Sequence, residues 1–285
     1  YVHARGIPKS DLACLDAAGK PTPPGANGCA VAPNPEYYLP KSGSGMAELP
    51  GRFFMVTLGL WDQLTGTEDM QVSTTLHELG HNLGLWHGGA APRFTNLSNG
   101  RANAFVQPNC KPNYFSIMSY VFQATGVTNH LGISRQRFSA EIPNPLTETA
   151  LTDTPLSPDQ LFVPAWFTPV LPGTLAEKFK LTPYKKHCNG TPLLLDANGN
   201  PTEIPMARID AATPIAAINW NGATGVYPPG KSSQDINFDG LESGQSAVLT
   251  AFSDWSSIRL NQPGAGRNMA GMSLGLDFGG LDFGG

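Results

Sequence analysis

Charge is scarce in this chain. Only 14% of its 285 residues are Asp, Glu, Lys or Arg, with 18 basic against 22 acidic. The balance leaves a net charge of −4 and a pI near 5.8. That gives no basic footprint for a phosphate backbone, and no nucleic acid is expected as a partner. Long apolar runs are also missing. The most apolar stretch, residues 161–175, is interrupted by Pro164, Pro169 and Pro172, so it cannot form a transmembrane helix. No apolar leader stands at Tyr1, and none of the cysteines forms a CxxC pair, which removes the commonest thiolate metal and redox motifs.

Glycine and proline are abundant, at 32 and 26 residues. Together they make about a fifth of the chain, against roughly 12% in average proteins. Such a sequence implies many turns and irregular loops rather than long surface helices. The length suits one large or two moderate domains. Four cysteines, Cys14, Cys29, Cys110 and Cys188, permit three full pairings. Two disulfides are expected, Cys14–Cys29 closing a local loop and Cys110–Cys188 tying distant segments, with free buried thiols as the alternative. Disulfides imply a secreted protein, extracellular or periplasmic.

Three of the six histidines fall within the eleven residues His77-Glu-Leu-Gly-His-Asn-Leu-Gly-Leu-Trp-His87. His77 and His81 are four apart, so a helix stacks their imidazoles on one face. Each can offer a nitrogen to one Zn²⁺ at roughly 2.0–2.1 Å. Glu78 points about 100° further round the helix, within reach of a water on the metal but not an easy ligand. Gly84 permits a turn that a residue with a Cβ resists, bringing His87 back as a third ligand. Three protein ligands with an open fourth position are the catalytic arrangement of zinc. Thr65, Thr67, Glu68 and Asp69 mark a helix start. Val72, Leu76, Leu79 and Leu83 make an apolar stripe expected to face the core, flanked by the histidines. The helix is expected at about 68–84.

The pattern HExxHxxGxxH resembles the metzincin clan of zinc metallopeptidases. Phe115-Ser-Ile-Met-Ser-Tyr120 looks like the second metzincin signature, the Met-turn. The resemblance implies that Met118 forms an apolar floor under the imidazoles without ligating. It implies that Tyr120 stands near the metal, where it ligates or hydrogen-bonds the reacting carbonyl. It further implies an α+β fold: a mixed twisted sheet and the zinc helix above a cleft, a loop-rich lower subdomain below. Only 76 residues precede His77, and about half look like loop, so the upper sheet is expected to be incomplete. The division expected is 1–87 upper subdomain, 88–208 lower subdomain with the Met-turn at 115–120, and 209–285 a C-terminal region. Within these, residues 52–59 read as a strand buried on both faces. Residues 135–138 and 145–151 read as short helices, and 276–285 as a doubled LDFGG.

A second metal motif lies in the last region. Asp235-Ile-Asn237-Phe-Asp239-Gly240 has the D-x-N-x-D-G spacing of a Ca²⁺ loop. The position that supplies a bidentate Glu in an EF-hand is Ser246 here, and Glu242 is the expected substitute in a shorter loop, 235–242.

The function expected is a secreted, monomeric zinc endopeptidase acting on protein or peptide substrate. Zinc on His77, His81 and His87 would acidify a water, and Glu78 would act as general base. Substrate would lie extended along an edge strand above the cleft. The contrasting expectation is a catalytically inactive metzincin-like binding module or adhesin.

Overall fold

The computed structural model describes residues 5–8, 14–15, 21–22, 38–41, 43–59, 61, 65–96, 102–153, 161–171, 173, 180, 182–184, 186–188, 190–196, 200–211, 218–220, 231–240 and 247–258. Cys29, Glu242, residues 276–285 and the side chain of Cys14 lie outside the described residues.

Strand pairing among the described residues consists of eight two-stranded ribbons, all antiparallel. With one long helix among them, the fold is α+β built from small sheets. The expected mixed twisted sheet is not found among the described residues. Every described strand spans only two to five residues, in keeping with a chain rich in Gly and in Pro, which removes ladder donors. The longest pairing joins Ala165–Pro169 to Met206–Asp210.

Helix α1 spans Glu68–Asn82. It starts where the Thr67 side chain accepts from the Met70 N–H at 3.3 Å, with Glu68 and Asp69 complementing the helix dipole in the first turn. It ends two residues earlier than expected, at a turn through Leu83 and Gly84. Gly84 sits at φ +90°, as the spacing of the motif requires. A short helix, α2, spans Tyr120–Gln123.

The face that α1 buries is not the apolar one. Ser73, Thr74, His77, Glu78, Gly80, His81 and Asn82 are buried, whereas Val72 is 46% and Leu79 37% exposed. At 100° per residue the stripe from Val72 to Leu83 lies opposite His81, not beside it. Only Leu76 at its margin packs inward, on a small cluster of Leu85, Tyr114, Ile117, Met118 and Phe138. The strand expected at 52–59 is also corrected. Among the described residues Phe54–Val56 pairs only with Gly45–Ala47, and Phe53 is 69% and Met55 49% exposed. A two-stranded hairpin on a helix has no second layer to cover its outer face.

The main core lies elsewhere, below α1. Phe115, Val121, Phe122, Trp166, Phe167, Trp220, Ile236 and Phe238 are among its buried members. Cys110–Cys188 closes it covalently across 78 residues, with Cα atoms 6.2 Å apart. The two short helices expected downstream of Met118 do not form. Ser134–Arg135 pairs with Val127–Thr128, and Leu146–Thr147 pairs with Val248–Leu249, leaving one 3₁₀ turn at Glu148–Ala150. Pairing with remote strands overrides the local helical pattern there.

Candidate metal centre

The helix and its exit turn bring His77, His81 and His87 to one point. Their Nε2 atoms form a near-equilateral triangle with sides of 3.1, 3.0 and 3.2 Å. Three nitrogens at roughly 2.0–2.1 Å from a tetrahedral ion would stand about 3.3 Å apart. The orientation of the rings is fixed from behind. His77 Nδ1 donates to the Ile117 carbonyl at 2.8 Å, and His81 Nδ1 donates to the Leu85 carbonyl at 2.8 Å. These bonds place the proton on Nδ1 and leave the Nε2 lone pair facing the centre. The turn at Gly84 therefore does two things: it delivers Leu85 to hold His81, and it returns His87 to the triangle.

Burial keeps all three imidazoles neutral. It pushes His77 down to about 3 and His81 down to about 4, against the ordinary 6.5; the neighbouring His81 lowers His77 further. The hydrogen bonds to Ile117 and Leu85 oppose this without reversing it. His87 is also driven well below its ordinary value by burial and by the other two rings. Neutral, convergent nitrogens are the donor set a divalent metal takes. The three histidines are the one such group of three among the described residues.

Glu78 is buried beside this triangle, and with Gly45, Met46, His81, Trp86 and His87 it lines a pocket of about 220 Å³. The Glu78 carboxylate lies against Gly45, where a Cβ would collide with it. Gly80 serves the opposite side: a Cβ there would run into the sulfur of Met118. Met118 is fully buried under the helix, so the floor expected from the sequence is a packing contact with Gly80. Tyr120 stands over the site with its ring centroid 4.4 Å from that of His87 and 5.8 Å from that of His77. Its backbone N–H donates to Asn109 Oδ1 at 3.0 Å, which sets the start of α2. Tyr120 also lines a larger pocket, about 440 Å³, walled by Phe167, Tyr184, Phe238 and the Cys110–Cys188 disulfide. The larger pocket includes none of the three clustered histidines; the smaller one includes His81 and His87.

Asp254 was not legible as a site residue. It is fully buried, accepts from Tyr114 Oη and Ser116 Oγ at 2.5 Å each, and from the Ser139 N–H at 2.9 Å. Ser116 Oγ in turn accepts from the Met118 N–H at 3.1 Å. One carboxylate near the end of the described chain thus fixes the turn whose Ile117 carbonyl orients His77. Burial raises the pKa of Asp254, opposed by its three hydrogen bonds and by Lys111. Lys111 is itself buried and pushed down to about 7, and its Nζ donates to the carbonyls of Gly88 and Thr250 at 2.6 and 2.5 Å.

The calcium-type residues Asp235, Asn237 and Asp239 alternate with Ile236 and Phe238 of the main core. Glu242 does not enter the description, but Glu148, 87 positions before Asp235, does. Its Oε1 accepts from the Ile236 and Asn237 N–H groups at 2.8 and 3.4 Å. No helix among the described residues is long and apolar enough to cross a membrane. Compared with known proteins, the chain matches no family model, no curated protein and no solved structure.

Proposed function

We propose that this chain is a zinc-dependent endopeptidase of metzincin type. The observation that carries the reading is the Nε2 triangle of His77, His81 and His87, two of whose rings are locked by backbone carbonyls, with Glu78 beside it. When bound, zinc would supply Lewis acidity toward a water and a peptide carbonyl. The chain's own residues do the rest. Glu78 is buried one residue beyond a ligand, where it accepts the water's proton and passes it to the leaving amine. Tyr120, whose ring stands 4.4 Å from that of His87, would donate from α2 to the oxygen that gains negative charge. Gly45–Ala47 borders the pocket and offers backbone groups to an extended peptide. The apolar pocket beside Tyr120 receives a bulky side chain of that peptide.

The test is metal analysis together with digestion of a mixed peptide library, with and without chelator. The expected result is one equivalent of zinc, chelator-sensitive cleavage and a preference for a bulky apolar side chain next to the cut. Glu78→Gln should keep the zinc and lose about 10²–10⁴-fold in kcat/KM. Stoichiometric zinc with no turnover of any peptide would replace the enzyme reading with that of a binding module.

A further inference from the structure

His77 and His81 ride on α1, but His87 does not. It sits second in a tight turn of residues 86–89, closed by the Gly89 N–H donating to the Trp86 carbonyl at 2.8 Å. The place of the third imidazole is therefore set by whatever holds that turn. Three contacts among the described residues do so. The Gly88 carbonyl accepts from Lys111 Nζ at 2.6 Å. The Gly88 backbone lies against Gln107, where a Cβ would come within 2.3 Å of the carbonyl oxygen. Gly89, at φ +88°, lies against Phe252, whose Cβ an added Cβ would meet at 2.4 Å. The far ends of these contacts meet in one segment. Lys111 Nζ also donates to the Thr250 carbonyl at 2.5 Å, and Thr250 Oγ1 donates to Gln107 Oε1 at 3.0 Å. Asn113 Nδ2 donates to the Leu249 carbonyl at 2.9 Å, and Asp254 holds the Met-turn through Tyr114 and Ser116. Residues 249–254 thus serve both the turn that carries His87 and the turn whose Ile117 carbonyl orients His77.

We propose that Lys111 is a positioning residue for the third histidine: by bridging the Gly88 and Thr250 carbonyls it pins the 86–89 turn, and with it His87, to residues 249–254. The inference rests on the three histidines taking a metal ion, as proposed above, and not on the peptidase reaction. Lys111 is 0% exposed. An amine taken out of water is costly unless it is bonded, and the carbonyl of the buried Gly88 must also find a donor. One Nζ meets both needs and reaches a second carbonyl 139 positions away in the chain. A methionine would fill much the same space with no N–H to donate, so packing alone does not explain a lysine here. Its charge is matched from the Met-turn side. The Nζ stands 5.2 Å from the centre of the Tyr114 ring, and Asp254, bonded to the hydroxyl of that tyrosine, attracts it. The Nε2 triangle leaves little room for error, with sides of 3.0, 3.1 and 3.2 Å. Metal–ligand distances hold within about 0.2 Å, so a turn displaced by about an ångström takes His87 out of the set.

The experiment is a double-mutant cycle on zinc affinity in the full chain, read by competition with a chromophoric chelator, with the Tm of the metal-free protein measured alongside. Lys111→Met should weaken zinc by about 10–100-fold. In a His87→Ala background the same substitution should change affinity by no more than about twofold, because the ligand it places is gone. Ile218→Val, a truncation in the main core, should lower Tm and leave zinc affinity unchanged. Should Lys111→Met fail to fold, Gly88→Ala takes its place. Its Cβ pushes the turn off Gln107 with Lys111 intact, and its loss of affinity should depend on His87 in the same way. Wild-type zinc affinity in Lys111→Met, or in Gly88→Ala, would overturn the inference. So would an equal loss with and without His87, which would make Lys111 a residue of the fold and not of the ligand. Wild-type protein that takes up no zinc would remove the metal reading itself, and this inference with it.

Discussion

The two sides of the histidine centre are built differently. Below α1, the Met-turn is enclosed: Tyr114, Phe115, Ile117 and Met118 are at most 1% exposed. Above it, the hairpin of Gly45–Ala47 and Phe54–Val56 leaves Phe53, Met55 and the outer stripe of α1 largely open to solvent. The lower side holds the histidine cluster in place, through Ile117 to His77, Met118 to Gly80, and Asp254 to Ser116. The upper side contributes a border and little burial. A helix can thus be anchored by a polar face that makes buried hydrogen bonds, while its apolar face contributes almost nothing among the described residues.

The largest expected effect tests the lower side. Asp254→Ala leaves three donors unmet and Lys111 buried without its counter-charge. It should cost about 3–5 kcal/mol in urea unfolding and weaken metal binding, because the Met-turn loses its anchor. Asp254→Asn should cost less, since it keeps the shape and an acceptor. An Asp254→Ala protein with unchanged stability would mean that the lower side is not held from the end of the described chain.

The next effect concerns pH. In the metal-free fold His77 titrates at about 3 and His81 at about 4, whereas both titrate near 6.5 when unfolded. The unfolded chain therefore takes up protons first. Stability is fully present above pH 6.5 and falls as the pH drops toward 4. At about 1.4 kcal/mol per unit, each histidine removes about 2 kcal/mol by pH 5. Urea midpoints measured in chelator at pH 7 and pH 5 check this; equal midpoints would contradict a buried neutral triad.

The smallest effect tests the upper side. Leu79→Gln replaces a residue that is 37% exposed on the outer face of α1, and it should change stability by no more than about 0.5 kcal/mol. A loss comparable to a core truncation, about 2–5 kcal/mol, would show that this face is covered in the native protein and would erase the contrast.

Much of the three-histidine centre was legible because its parts are close in sequence. The i, i+4 spacing of His77 and His81, the turn glycine Gly84 and the return of His87 are local geometry, and the start of the helix followed from Thr67 and the early acids. The direction of the helix was not legible. Val72, Leu76, Leu79 and Leu83 form an apolar stripe whichever way the helix faces, and only its neighbours decide which side is buried. The strand at 52–59 failed for the same reason: an apolar run predicts burial only where a second layer exists to cover it.

What the sequence alone determined is the spacing that brings three histidines together, and a chain too rich in Gly and Pro for long elements. Of the two disulfides expected, Cys110–Cys188 is present, and Cys29 lies outside the described residues. Tertiary structure also decided which carboxylates matter. Asp254 lies 138 positions from Ser116 and Glu148 lies 88 from Ile236. Local periodicity carries no signal across such separations. Burial gives those groups their importance, because a polar atom removed from water must find its partner wherever the folded chain places one.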